Sequence, residues 1–539
     1  MCEIKQGLFL PTARGASSAT AKVVRVVLVP PGQLEVKNQP HPSESSRVGP
    51  NLSQEPSPVS SSEYARSPDM PQSLGSYVSN GLPPLQIWPL SANESELSQL
   101  FHRYRNRISC YFPFVVIPDV PPAQLHAEKP FLFKAIMMAS SYTDRTNQLQ
   151  LGTQLTEELG RRLLVNGETS MDILQGLLIH IAWYHVYRRH SSQMTNLLQL
   201  AIALLADMGL NKPTHGNDRR KYMFDSSRIT HGVLAESRMM TNDERRALLG
   251  CFYVSSIVCS IFRRVDALEY TPFMDKQLND LLDTRERESD LLLARMVQIQ
   301  QFAERVVDTV SYEETDGSQI HHAPVVLHLR ALRNEFRTQA QSYPSHIEDR
   351  EILQLQKYVV EIMIHENGLY NAFWEAPSST NERIDVLWTL LQSIKSFFEI
   401  FWNLSDLAIH EIPYSSWGLS TYVILIFSRL SMLECPGWDH EVAKDNIEFV
   451  AVLDALIAKT MSASDYGAAR WLSGAQDEVC RRILEKLRFI KSWWQASRPG
   501  ANLAELKPIS PYLDPAASGT FLGDDFWEDL MRDCEPLQF

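Results

Sequence analysis

Cys251 and Cys259 stand eight residues apart in the run ERRALLGCFYVSSIVCSIFRR (Glu244–Arg264), between the pairs Arg245–Arg246 and Arg263–Arg264. Thiolates can hold zinc, and paired guanidiniums can cap helix carbonyls, pair with carboxylates or hold an effector. Eight helical residues rise about 12 Å, however, against zinc–sulfur bonds of about 2.3 Å, so one ion cannot bridge the two thiols. The run is also too short for a membrane span. Ala247 to Phe262 rise about 24 Å against a hydrocarbon core of roughly 30 Å, and Ser255, Ser256 and Ser260 interrupt it.

Other reactive residue types give no catalytic constellation. His180, His185 and His190 are five apart, so successive ones rotate by about 140° around a helix and cannot converge on a metal. His321 and His322 adjoin in an expected loop, and IHENG at His365–Glu366 lacks the second histidine of a zinc-protease helix. There is no GxGxxG, phosphate-binding GxxxxGK[ST] loop or GxSxG elbow. The reading is a non-enzyme with no catalytic, cofactor-binding or metal site in these residues. Arg481, Arg482, Lys486, Arg488 and Lys491 imitate a nucleic-acid stripe. With Glu485 among them and a net charge of -13, they read as a solvent face of a helix.

The last stretch, FLGDDFWEDLMRDCEPLQF, interleaves Asp524, Asp525, Glu528 and Asp529 with Phe526, Trp527, Leu530 and Met531, whose apolar side chains share a face one turn apart. Such a segment stays solvated alone and can lay its aromatic face into a groove on a partner. Those four apolar residues are the candidate activation residues; a frayed or self-docked tail is the alternative.

The elements that must position these residues are helical. Apolar residues recur with the α-helical period in Leu174, Leu177, Leu178 and Ile181, and again in Leu197, Leu200, Ala201, Leu204 and Met208, where Gly209 supplies the stop. The same period runs through Leu387, Leu391, Ile394, Phe398 and Phe401, then Val479, Ile483, Leu487, Ile490 and Trp494. Glu94 and Glu96 open an earlier helix bearing Leu97, Leu100, Phe101 and Tyr104. Alternating strand patterns and hairpin signals are missing, so the expected fold is all-α. Loops are expected at PTHGNDRRKYMFDSSRITHG, EETDGSQIHHAPV and EAPSSTNE. Residues 1–90 are Pro/Ser-rich and without apolar period, hence expected to be disordered. A helical domain follows over 91–497, then a linker and acidic tail over 498–539. Apolar residues at 44 % and charged residues at 21 % suit a globular domain. Seven scattered cysteines without a CxxC pair fit a reducing compartment, not a disulfide framework.

Two phrases carry a family resemblance. MDILQGLLIHIAWYHVYRRHSSQMTNLLQLAIALLADMGLNKP and RMMTNDERRALLGCFYVSSIVCSIFRRVDALEYTPFMDKQL resemble, in order, the regulatory domain of fungal zinc-cluster transcription factors. Trp183, Arg245, Arg246, Gly250, Cys251, Arg263 and Arg264 belong to the matching phrases. The resemblance covers residues 90 to 500 and implies a nuclear transcription regulator whose acidic tail contacts coactivators or the transcription machinery. It also implies control of specialised-metabolite genes and possible homodimers, although no long heptad repeat supports a dimer.

In that family DNA is read by an N-terminal six-cysteine module holding two zinc ions. Only Cys2 precedes Cys110 in this sequence. Zinc, and direct DNA contact, are therefore expected only if such a module lies upstream of this chain; otherwise the chain is a co-regulator or repressor without DNA binding of its own, acting through a partner factor. A non-transcriptional scaffold or small-molecule sensor is the alternative from another class. Within the domain, Glu244–Arg264 is expected as a central helix. Leu248, Phe252, Ile257 and Phe262 should face inward, both cysteines should be small buried side chains, and the arginines should pair at the helix ends.

Overall fold

The structure, a computed structural model, describes residues 94–186, 193–212, 239–262, 268–314, 322–340, 343–370, 374, 380–470 and 478–496. Regular structure among them is helical, with no strand among the described residues. The fold is all-α. None of their helices is long and apolar enough to cross a membrane.

The chain enters through α1 (Glu94–Arg103), whose first turn carries Glu94 and Glu96. Its winding then widens to a π turn, Tyr104–Ile108, and tightens to one 3-10 turn, Ser109–Tyr111. Tyr104 and Ile108 both stay buried across the wider turn. Prolines open α2 (Pro122–Glu128) and α3 (Pro130–Ser140), where a missing N–H costs nothing. Buried residues run around the whole of α3 from Phe131 to Ser140, so it is a core helix and not an amphipathic one. Asp144 caps α4 (Arg145–Leu159), and Ser170 caps α5 (Met171–Ala182). α6 (Gln193–Asp207) stops at Gly209, whose φ of +69° is left-handed.

Next comes α7 (Asn242–Phe262), which contains the opening run. It begins in a reciprocal cap: Thr241 N–H donates to Glu244 Oε2 at 2.8 Å, and Glu244 N–H donates to Thr241 Oγ1 at 3.3 Å. The remaining helices are α8 (Pro272–Thr284), α9 (Ser289–Glu314), α10 (His322–Ala340), α11 (Ser345–Glu348), α12 (Glu351–His365) and α13 (Thr380–Asn403). α14 (Asp406–Glu411), α15 (Tyr414–Ser431), α16 (His440–Asn446), α17 (Phe449–Arg470) and α18 (Glu478–Ala496) complete the described order.

α7 is central: α5, α6, α8, α9 and α15 all pack on it. Two glycines permit the closest approaches. A Cβ on Gly176 of α5 would lie 2.4 Å from Phe131 Cδ1 of α3, and one on Gly250 of α7 would lie 2.9 Å from Phe114 Cβ. Further along, α12 packs on α9, α13 and α15, while α17 packs on α18 and α14. Aromatic contacts knit this second half, from Phe398 to Phe427, Phe427 to Phe449, and Phe449 to Trp494 at 4.4 Å between ring centroids.

Several expectations change in detail. Leu200 and Met208 are half-buried, because α6 lies at the margin of the core. The expected loop at EETDGSQIHHAPV is shorter, since α9 runs to Glu314 and His322 already opens α10. Similarly, Thr380 within EAPSSTNE begins α13. PTHGNDRRKYMFDSSRITHG lies outside the described residues.

Candidate functional site

Three of the described signature residues, Arg245, Arg246 and Trp183, occupy two polar nodes inside the core. The first is built at the N-terminal end of α7. Arg246 has a side chain 1 % exposed. Its Nε and Nη2 donate to Asp290 Oδ1 and Oδ2 at 2.7 and 2.9 Å, in a two-pronged pair. Nη2 also reaches Glu286 Oε2 at 3.0 Å, and Nη1 reaches Asp243 Oδ1 at 3.1 Å. Burial alone would lower the Arg246 pKa, but the hydrogen bond and charge of Asp290, with Glu286, outweigh it and raise it. Arg245 beside it donates to Gln277 at 3.1 Å and Asn242 at 2.8 Å, and pairs with Asp280 at 3.6 Å. Both arginines are thus engaged by protein carboxylates and amides that bind α7 to α8 and to the start of α9.

The second node forms where α5 ends. Trp183 is fully buried, with its ring edge-on to Tyr104 and Phe112 at 5.9 and 6.2 Å. Its indole N–H donates to the main-chain oxygen of Glu411 at 3.2 Å. The buried Glu411 carboxylate accepts from Tyr142 Oη at 2.8 Å and from Arg107 Nη2 at 3.1 Å. Burial, then the Glu411 charge, raise the Tyr142 pKa, which keeps the phenol a donor. His410 lies stacked on Tyr142 at 6.0 Å. Its Nδ1 is 3.2 Å from Arg145 Nη2, and its Nε2 is 3.0 Å from the Ala463 carbonyl oxygen. An arginine only donates and a carbonyl only accepts, so His410 carries its proton on Nε2. His185 stacks on Tyr414, and its main-chain oxygen accepts from Arg482 of α18 at 3.2 Å.

Cys251 is buried, and burial raises its thiol pKa, so it is inert as a nucleophile or ligand. Cys259 is only half-buried. Among the described residues, no group of three or more His, Cys, Asp or Glu could hold a metal ion. His180 is fully buried with Nε2 3.0 Å from Thr156 Oγ1, and burial lowers its pKa to about 3. Burial likewise lowers that of His365 to about 4, while its neighbour Glu366 accepts a hydrogen bond from Tyr422. Neither histidine has the exposure a catalytic base needs.

Two cavities flank Ile257 of α7. One, of about 10 Å³, is bounded by Ser260, Gln300, Gln356 and Tyr422; the other, of about 20 Å³, by Phe112, Met194, Val254 and Tyr414. Such volumes hold a single water each, not an effector. Arg263, Arg264, Phe526, Trp527, Leu530 and Met531 lie outside the described residues, as do His190 and His321.

Glu411, Asp290 and Asp172 escaped the sequence reading. Asp172 sits in the first turn of α5 yet accepts from Phe131 N and Leu132 N at 3.3 and 2.8 Å, capping α3 from outside, and pairs with Arg162 at 3.1 Å. No local pattern marks such partners, because each is defined by a residue far away in sequence. The Thr241–Glu244 box alone follows a short spacing rule that was readable in advance. Arg482, assigned to a solvent face, instead holds the main chain of His185.

No solved structure matches this chain. The sequence is 26% identical over 414 residues to transcription factor opdL of Penicillium oxalicum, which covers 76% of this chain and 72% of that protein. It is 31% identical over 293 residues to transcription factor himD of Aspergillus japonicus, covering 53% of this chain and 46% of himD. A match to transcription factor pbcR of Emericella nidulans is 20% identical over 474 residues and covers 60% of that protein. A sequence family described as a C-terminal domain matches residues 407–529. The family described as the WAR1 C-terminal domain matches residues 91–396, so the Trp183–Glu411 node ties one matched segment to the other. With more than half of its length inside that match, the chain belongs to the WAR1 C-terminal-domain family, the regulatory region of fungal zinc-cluster transcription factors.

Proposed function

We propose that this protein regulates transcription in the nucleus of a fungus. The helical domain is the regulatory body, and Phe521–Phe539 is the output segment. The observation that carries this reading is the match over residues 91–396, together with relatives that are themselves named transcription factors. Arg245 and Arg246 support it from the chemical side: they are engaged by Asp290, Glu286, Gln277 and Asp280, as in a structural domain and unlike an active site. Control of specialised-metabolite genes follows from the family resemblance, and a non-enzymatic role follows with it.

The tail recruits coactivators through Phe526, Trp527, Leu530 and Met531, while its carboxylates keep it solvated until it binds. DNA is reached through an N-terminal module or a partner factor. Fusing Phe521–Phe539 to an unrelated DNA-binding domain tests the output directly. Reporter expression should rise several-fold and fall to background when Phe526 and Trp527 are both replaced by alanine. A silent fusion, unchanged by those replacements, removes the activation role.

A further inference from the structure

α10 is joined to the core by few apolar side chains and by many charges. It lies on α9 and α12. Among its described side chains only Leu332 and Phe336 are buried, and Phe336 meets Phe302 of α9 edge-on at 5.2 Å. By contrast, α12 buries side chains along its length from Ile352 to His365. Ion pairs join α10 elsewhere. Arg305 of α9 holds Glu335 in a two-pronged pair at 3.0 and 2.7 Å. Glu361 of α12 pairs with Arg333 and Arg337 at 3.3 and 3.2 Å, and Arg330 pairs with Glu382 of α13. Arg305 and Glu335 are 47 % and 54 % exposed, and Arg330 and Arg337 are as open, so water and salt weaken these pairs.

Against α10, one buried cation is poorly matched. Arg295 of α9 is fully buried beside the rings of Phe336 and Tyr343, 5.5 and 5.4 Å from their centroids. Its Nε donates to Glu348 Oε1 at 2.7 Å, but that carboxylate also pairs with Lys357 at 2.9 Å. α10 offers it the neutral Gln339 Oε1, 3.4 Å from Nη1, and Nη2 has no hydrogen-bond partner. A buried donor left unmatched costs free energy while the helix stays down, and water satisfies it once the helix lifts.

We propose that α10 is a releasable strap. It lifts from α9 and α12 as a unit while those helices stay folded, uncovering a groove that holds Phe302 and the Arg295 guanidinium. The two apolar anchors hold the closed form, the exposed ion pairs tune it, and the unmatched Nη2 favours opening. Local openings of this kind draw on elements with few buried contacts. The strap belongs to the helical domain and stands apart from the role of the output segment.

Amide hydrogen exchange of the full-length chain, read by mass spectrometry in about 0.05 and about 0.5 M sodium chloride, tests the proposal. At low salt the amides of Leu332–Gln339 should exchange roughly tenfold faster, or more, than those of Leu292–Val306 in α9 and Ile352–Ile364 in α12. High salt should speed α10 about fivefold further and leave the other two within about twofold. Arg305→Glu should open α10 as salt does, and adding Glu335→Arg should close it again. Gln339→Glu sets a carboxylate against Arg295 and should slow α10 about fivefold. That variant tightens the contact, so it and the salt series decide the matter even where Arg305→Glu does not fold. Equal exchange in the three helices, or equal acceleration of all three by salt, overturns the strap. An α10 rate unchanged in Gln339→Glu overturns the part given to Arg295.

Discussion

Arg246 shows how a charged residue becomes part of a core. Its charge is compensated by Asp290, Glu286 and Asp243 at hydrogen-bonding distance, and of the three only Asp290 is buried with it. Arg246→Ala strands the buried Asp290 carboxylate and should cost about 3–5 kcal/mol in chemical denaturation. Removing both charges, as Arg246→Met with Asp290→Leu, should recover much of that loss. A double variant as unstable as the single one would contradict the account. Arg285 offers the reverse case. Its φ of +47° places a non-glycine residue in the left-handed region, so Arg285→Gly should be neutral or slightly stabilising.

Helix positions were largely legible, because the apolar period of 3.6 is written in each segment separately. That period placed Leu387, Leu391 and Ile394 on the buried side of α13, whereas α5, where it picked out Leu174, Leu177 and Leu178, is buried on every side from Asp172 to Ala182. Contacts between elements were not legible. Nothing near Gly176 says that Phe131 will lie against it, and nothing near Glu411 says that Trp183, Tyr142 and Arg107 will converge there. The glycines give a paired test at this scale. Gly176→Ala places a Cβ within 2.4 Å of the Phe131 ring and should cost about 1–3 kcal/mol by displacing α3 from α5. Gly160→Ala meets nothing within 4 Å and should gain about 0.4–1 kcal/mol. Equal melting shifts for the two would refute the close-approach argument.

For the molecule as a whole, buried histidines give stability a pH dependence. His180 and His365 hold pKa values lowered to about 3 and about 4 from the ordinary 6.5. Between those values and 6.5 the unfolded chain binds more protons than the folded one, so stability is complete above pH 6.5 and falls as pH drops toward 4. Denaturation midpoints measured from pH 7 to 4.5 should decline, and His180→Gln should flatten the slope. Glu304 acts in the opposite direction. Burial raises its carboxyl to about 7 from 4.5, so its contribution is complete below pH 4.5 and is lost as pH rises to 7. The Glu411 node also sets a timetable. Trp183 precedes its acceptor by 228 residues, and Tyr142 precedes it by 269. At about 5–20 residues per second, the ribosome delivers that acceptor on the order of 10–50 s after Trp183. During that interval the indole and phenol must stay wet or chaperoned. Synthesis halted before residue 411 leaves a half-domain whose inner donors have nothing to close upon, and the cell can recognise such a chain as unfinished.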